Sequence, residues 1–403
     1  MSNKKIILVQ QKINQGNFLD AEKICKEELK KDENSNFYNL LGIIELKKKN
    51  YSPSSKYFKK CLNLDPNNVK VLNNLGVLFI EIKEYDEAIK IFTDALQKDK
   101  NFLKTYLNLA ETYQKKNDLE KTLTYLNQAL KIDSKNSIAL NNIANIYVSQ
   151  KKYEKALSYY KKSLQHDFSN ELVHNNIGLV YERFNKFKKA IFHYEESLKI
   201  NPAFYDCQFN LSILYFKTGQ CKKAIQLYDA RFLKTEKVLG NFPQINTYLL
   251  NYKKITKEKK IYIIAEQGYG DIFQFIRLGL ELKKINSQFT FVIHDELYDF
   301  ISRQSIFEFY LKSSKFLKEN NSTNIIPLLS VPKVFDLEFQ TILNKENYLK
   351  SDSIKNKYWL QKISQKNFNI GISWKTDKND KSIPLNLFES LKKIKNVNLI
   401  SLH

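Results

Sequence analysis

Few residues in this chain have the types and spacing that chemistry needs. Gly268-Tyr269-Gly270-Asp271 follows a β-branched apolar run, IYIIAEQ, and precedes a helical stretch, IFQFIRLGLELKK. Glycines at a strand-to-helix turn let the backbone approach a ligand closely and accept positive φ. The helix N-terminus behind them offers free N–H groups and a positive dipole end to an anion. Asp271 there can cap the helix through its carboxylate or act as a general base. A second set is Asn74, Asn108, Asn142, Asn176 and Asn210, spaced 34 residues apart. A carboxamide carries a donor and an acceptor together. A column of them suits the main chain of an extended polypeptide, and serves packing between helices equally well. The four cysteines and His166, His174 and His193 show no metal-ligand spacing, so no metal is expected.

The asparagines belong to an internal repeat. Small residues recur every 34 positions at Gly42, Gly76, Ala110, Ala144, Gly178 and Ser212. Three positions later stand Glu45, Phe79, Tyr113, Tyr147, Tyr181 and Tyr215, of which Glu45 alone is not aromatic. Twelve after each small residue come Ser54, Ala88, Thr122, Ala156, Ala190 and Ala224, and then a large residue at Phe58, Phe92, Leu126, Tyr160, Tyr194 and Tyr228. Segments such as EYDEAIKIFTDALQKD place apolar residues three and four apart, the helical period. This pattern resembles tetratricopeptide repeats, helix–turn–helix units of 34 residues. About seven units are expected over residues 2–231, the first one residue out of register. The small residues let helix A approach helix B, and stacked units share one core that no single unit could bury. Helix A lines the concave face of such a solenoid. The asparagine column on it is similar to the ladder in the repeats of eukaryotic O-GlcNAc transferases. That resemblance implies a peptide or protein partner.

Composition narrows the class. The chain has 403 residues, 43 % apolar and 13 % aromatic, so it is not disordered. Four cysteines exclude a disulfide scaffold, and no stretch approaches the 18 consecutive apolar residues of a membrane span. The N-terminus does not read as a secretory signal, and a cytoplasmic location is expected. The net charge is +22, shared as +11 in residues 1–230 and +11 in 231–403, and only four of the cationic residues are Arg. Without an Arg-rich stripe, specific nucleic-acid binding is not expected.

After residue 250 the architecture changes. IYIIAEQ, FTFVIH (289–294), pieces of NIIPLLSVP, FNIGISW (368–374) and VNLISLH read as strands alternating with helical DELYDFISRQ and PLNLFESLKKIK. That alternation implies parallel strands with crossover helices. IIAEQGYGDIFQFIRL, LLSVP, NYLK and GISWKTDKNDKSIPL resemble, in the same order, bacterial repeat-containing glycosyltransferases whose catalytic part looks like lipopolysaccharide heptosyltransferases of the GT-B fold. The resemblance implies Asp271 as the base on the acceptor hydroxyl. It implies that Ser373 and Lys381 hold the donor diphosphate, with Gly268 and Gly270 forming the glycine loop of the site, a nucleotide-sugar as donor substrate and neither cofactor nor metal.

The expected organisation is therefore a repeat solenoid over 1–231, a linker or cap over 232–257, a first Rossmann-like acceptor-side domain over 258–360, and a donor-side Rossmann-like domain begun at 361–403 and cut short. The expected function is sugar transfer to an acceptor held by or near the repeats, impaired by the missing donor half. The alternative is a non-catalytic scaffold that binds an extended peptide in the repeat groove.

Overall fold

The computed structural model describes residues 2–233, then 260–337 apart from 267, 286–287 and 320–323, a few positions at 349–361, and the backbone of two strands at 368–372 and 397–401. Cα packing divides the chain into two compact units, Met1–Lys234 and Thr235–His403.

The first unit is built of seven helix pairs: α1 (Ser2–Asn14) with α2 (Phe18–Leu29), α3 (Ser35–Lys47) with α4 (Tyr51–Leu64), α5 (Val69–Glu81) with α6 (Tyr85–Lys98), α7 (Leu103–Lys115) with α8 (Leu119–Ile132), α9 (Ser137–Ser149) with α10 (Tyr153–His166), α11 (Glu171–Arg183) with α12 (Phe187–Ile200), and α13 (Tyr205–Lys217) with α14 (Cys221–Tyr228). Odd-numbered helices are the A helices and even-numbered ones the B helices. The small residue of each A helix does what its spacing predicts. A Cβ built on Gly42, Gly76 or Gly178 would lie 2.4, 2.4 or 2.6 Å from the ring of Phe58, Phe92 or Tyr194 on the paired B helix. In α7 the residue is Ala110, and the facing side chain is the smaller Leu126. In that pair a larger small residue meets a smaller partner, as a close-packed core allows.

Every A helix from α3 onward ends in the same way. Lys49, Lys83, Asn117, Lys151, Asn185 and Gly219, again 34 apart, adopt φ between 55° and 75°. The following amide reaches back to the carbonyl of the third residue after the small one, as in Asn50 N–H to Glu45 O (2.8 Å) and Gln220 N–H to Tyr215 O (2.8 Å). This is a Schellman closure, which needs one left-handed residue. Gly16 plays that part after α1, one position out of the 34-residue register, as the sequence offset predicts. Glu45, the departure from the aromatic column, is buried with its carboxylate accepting from Asn50 Nδ2 at 2.8 Å and Lys48 Nζ at 3.2 Å.

The second unit holds a small parallel sheet of β1 (Ile261–Ile264), β2 (Phe289–Ile293), β3 (Phe309–Lys312) and β4 (Ile325–Pro327), in the order β3-β2-β1-β4. Ile261 pairs with Phe289, Thr290 with Phe309, and Tyr262 with Ile325. β1 and β2 are buried along their whole length, which explains their largely apolar sequence, interrupted in β2 by the buried Thr290. β3 was not expected: FYLK is a short edge strand with exposed ends and carries little strand signal. A parallel pair, β5 (Phe368–Ile372) and β6 (Val397–Ser401), matches the two strands expected there. The helix expected between them lies outside the described residues. The described strands make a small parallel sheet and a parallel pair; the two-lobed GT-B arrangement gains no support beyond them.

Candidate functional site

The asparagine column is the most regular polar feature of the first unit, and the structure gives it a partner the sequence reading missed. Thirty-five residues before each ladder residue, one position ahead of the ladder register, lies a second column: Asn39, Asn73, Leu107, Asn141 and Asn175. Four of the five ladder amides donate to the member of that column one unit earlier. Asn74 Nδ2 reaches Asn39 Oδ1 (2.9 Å), Asn108 reaches Asn73 (3.0 Å), Asn176 reaches Asn141 (3.3 Å) and Asn210 reaches Asn175 (3.1 Å). Four of the five thus pin consecutive A helices together, the packing role. Asn142 differs because the residue 35 positions before it is Leu107. Among the described residues its side chain only accepts, at 3.4 Å, from the neighbouring Asn141.

The face that carries the ladder follows from helical spacing. Residues four before, three after and seven after a ladder asparagine share its side of the helix. On α5 and α7 these are mostly charged: Lys70 and Glu81, then Lys104, Glu111 and Lys115. On α9, α11 and α13 four of the nine are apolar and exposed, Ile138 (54 %), Leu172 (51 %), Leu179 (40 %) and Ile213 (38 %), and the others are Asn145, Ser149, Arg183, Asp206 and Lys217. At the C-terminal end of this stretch a cavity of about 470 Å³ opens between α11 and α13, lined by Leu179, Glu182, Arg183, Asn185 and Lys217.

His174 and His193, scattered in sequence, meet. Their Nδ1 atoms lie 3.2 Å apart, and His174 Nε2 faces the Phe168 carbonyl at 3.3 Å. His193 also stacks on Tyr181 (5.6 Å between centroids). The signal was present: His174 and His193 occupy the repeat positions of Tyr106 and Tyr125, a ring pair 6.5 Å apart. Burial lowers both histidine pKa values, that of His193 to about 4. Burial likewise pushes the Cys25 thiol up to about 12 and Cys61 and Cys207 to about 11, which makes them inert core residues.

In the second unit the glycine turn sits where the sequence placed it, at the carboxyl end of β1. Gly268 precedes the helix α15 (Tyr269–Phe275), Gly270 is its second residue and Asp271 its third, exposed to solvent. Two expectations are corrected. Gly268 has φ −64° and ψ 165°, ordinary extended backbone. Among the described residues no side chain caps the helix, Asp271 included. The carboxylate that does bond to backbone at this rim is Glu266, which accepts from the Leu328 and Leu329 N–H groups (2.9 and 3.4 Å) just after β4. Ser373 and Lys381 lie outside the described residues. Among the described residues no group of three or more His, Cys, Asp or Glu is placed to hold a metal, and no helix is long and apolar enough to cross a membrane.

Tetratricopeptide-repeat models match residues 35–68, 57–90, 101–167 and 136–203. No curated protein matches the chain. Among solved structures it is similar to the MamA protein (21 % identity, 42 % of this chain and 92 % of that one, TM-score 0.36). It is also similar to PilF of Pseudomonas aeruginosa (19 %, 50 % and 91 %, TM-score 0.44). A third is YrrB, described as a TPR protein with an unusual peptide-binding site (15 %, 45 % and 94 %, TM-score 0.35). The matched models lie within the helix pairs and lend nothing to the glycosyltransferase resemblance of the C-terminal part. Residues 2–228 form a helical solenoid of seven helix pairs, of which residues 35–90 and 101–203 match tetratricopeptide-repeat models.

Proposed function

We propose that the ladder face holds an extended polypeptide and that the chain works as a protein-interaction scaffold. One observation carries this reading. On α9, α11 and α13 the face keeps Ile138, Leu172, Leu179 and Ile213 exposed in repeat register, beside the one ladder amide that lacks an asparagine partner on the preceding A helix. Apolar side chains aligned on one surface and rimmed by polar groups are how interaction sites differ from scattered surface residues. The Asn142 Nδ2, which donates to nothing among the described residues, supplies a donor for a main-chain carbonyl. The test is an array of random ten-residue peptides probed with the full chain. A subset should bind, and Leu172→Asp with Ile213→Asp should abolish that binding while helicity is retained. No binding, or binding indifferent to those substitutions, overturns the reading.

A second reading, metal-independent transfer of a sugar from a nucleotide-sugar by the C-terminal unit, has one observation in its favour. The strand order reverses between β1 and β4, and Gly268 and Asp271 stand at the carboxyl end of β1, the rim where open parallel sheets bind ligands. Asp271 would be the base. Incubation with labelled nucleotide-sugars decides it, and the absence of turnover removes it.

A further inference from the structure

The polypeptide groove proposed above has a chemical preference written at one end. We infer that the segment it binds is acidic, with apolar side chains lying over α9 and α11 and a carboxylate held by Arg183 beside Lys217. The inference rests on the groove reading and adds the class of partner.

Arg183 is the last residue of α11, seven after Asn176 and four after Leu179, on the ladder face. Among the described residues its guanidinium has no hydrogen bond, ion pair or ring contact, and it is exposed. Lys217 holds the same repeat position one unit later and borders the same cavity. The one carboxylate there, Glu182, is shared: it accepts from the Tyr194 hydroxyl at 3.3 Å and stands 3.9 Å from Lys217. Two cations against one engaged carboxylate leave the cavity a net positive charge. Its volume, about 470 Å³, has room for a carboxylate-bearing side chain or a chain terminus.

The residue type matters as well. This chain meets nearly all its need for positive charge with Lys and uses Arg at four positions. A guanidinium presents a planar fork that matches a carboxylate with two parallel hydrogen bonds, which an ammonium cannot do. A cation in the last turn of a helix also offsets the helix dipole, but Lys serves that purpose equally. Leu179 forms part of the cavity wall and Ile213 stands one repeat on, so the charge adjoins the apolar stripe. That adjacency selects an acidic peptide over a free anion.

The experiment uses the full chain and the same random peptide array. A decapeptide selected there is then made with a fluorescein label in two forms, one with every Asp and Glu replaced by Asn and Gln. Selected peptides should be enriched in Asp or Glu next to apolar residues. The acidic form should bind about tenfold more tightly than the neutral one, the worth of one charge-assisted pair. Arg183→Gln and Arg183→Lys should each remove that advantage and leave the neutral form unchanged. If selected peptides show no preference for carboxylates, or if Arg183→Gln weakens both forms alike, the acidic inference falls and the groove stands. If Arg183→Lys keeps the full advantage, dipole and net charge explain the residue and the inference also falls. If no peptide is selected, the groove reading itself fails.

Discussion

The Asn108 carboxamide donates to Asn73 Oδ1 at 3.0 Å, joining α7 to α5. Asn73 is 1 % exposed and in turn donates to Thr105 Oγ1 (2.6 Å) and to the Val69 carbonyl (3.1 Å). A buried network of this kind is costly to break, because the Asn108 amide and the Thr105 hydroxyl would be left buried without their Asn73 partner. Asn73→Ala should destabilise the solenoid by about 2–3 kcal/mol. Denaturant unfolding followed by helical circular dichroism measures it. A loss no larger than that of an exposed Asn101→Ala would contradict the account.

The left-handed residue closing each A helix is Gly in only two units. A side chain there costs about 1–2 kcal/mol in sterics, offset in part by the larger unfolded entropy of Gly. Lys83→Gly (φ 66°) and Lys151→Gly (φ 59°) should therefore each stabilise the protein by about 0.5–1 kcal/mol, and Gly219→Lys should cost a similar amount. Thermal melts of the three variants give the sign directly.

Gly76 and Phe92 form one packing unit. Phe92 is fully buried, so its ring cannot move aside for a new Cβ 2.4 Å away. Gly76→Ala should cost about 2 kcal/mol. In the variant that also carries Phe92→Leu, the pair becomes the Ala–Leu combination found naturally at 110 and 126. A double-mutant cycle should then show a coupling of about 1 kcal/mol or more in the compensating direction. Strict additivity would mean that the two residues do not share the space.

The histidine pair sets a pH dependence. His174 donates from Nε2 to the Phe168 carbonyl, which leaves its Nδ1 to accept from His193 Nδ1–H; the partners assign these tautomers, and both rings are neutral. Burial lowers the His193 pKa first, then the facing His174 and Lys161 of α10, against Glu196, which raises it. Burial also lowers that of His174, while the Phe168 carbonyl and Glu196 raise it. The unfolded state therefore binds more protons than the folded one below an ordinary histidine pKa of about 6.5. Stability is full above that pH and is lost as pH falls from about 6.5 toward 4. The melting temperature should drop by several degrees between pH 7 and pH 5. The double variant His174→Leu, His193→Tyr, which restores the residue types of neighbouring units, should flatten that drop. An unchanged slope in the double variant would remove the pair as its source.

The repeat architecture was legible because it is written in small, local rules applied many times. Gly or Ala at a 34-residue spacing has one physical use, the close approach of two helices, and Gly42, Gly76 and Gly178 confirm it against their rings. β1 and β2 were legible because strands buried on both sides are near-continuous apolar runs. β3 was not, because an exposed edge strand of four residues carries no such constraint.

What the order of residues determined alone is the repeat: its length, its helix pairs, the offset of the first unit and the face on which the asparagines lie. Tertiary structure decided what those asparagines do, since an amide's partner is set by which column lies opposite it, 35 residues away and not 34. Only stacking reveals that four of them are spent on their neighbours and that Leu107 leaves Asn142 over. It alone brings His174 to His193 and sets Arg183 and Lys217 around one cavity, because periodicity fixes direction on a helix whereas proximity depends on how far one helix is shifted along the next.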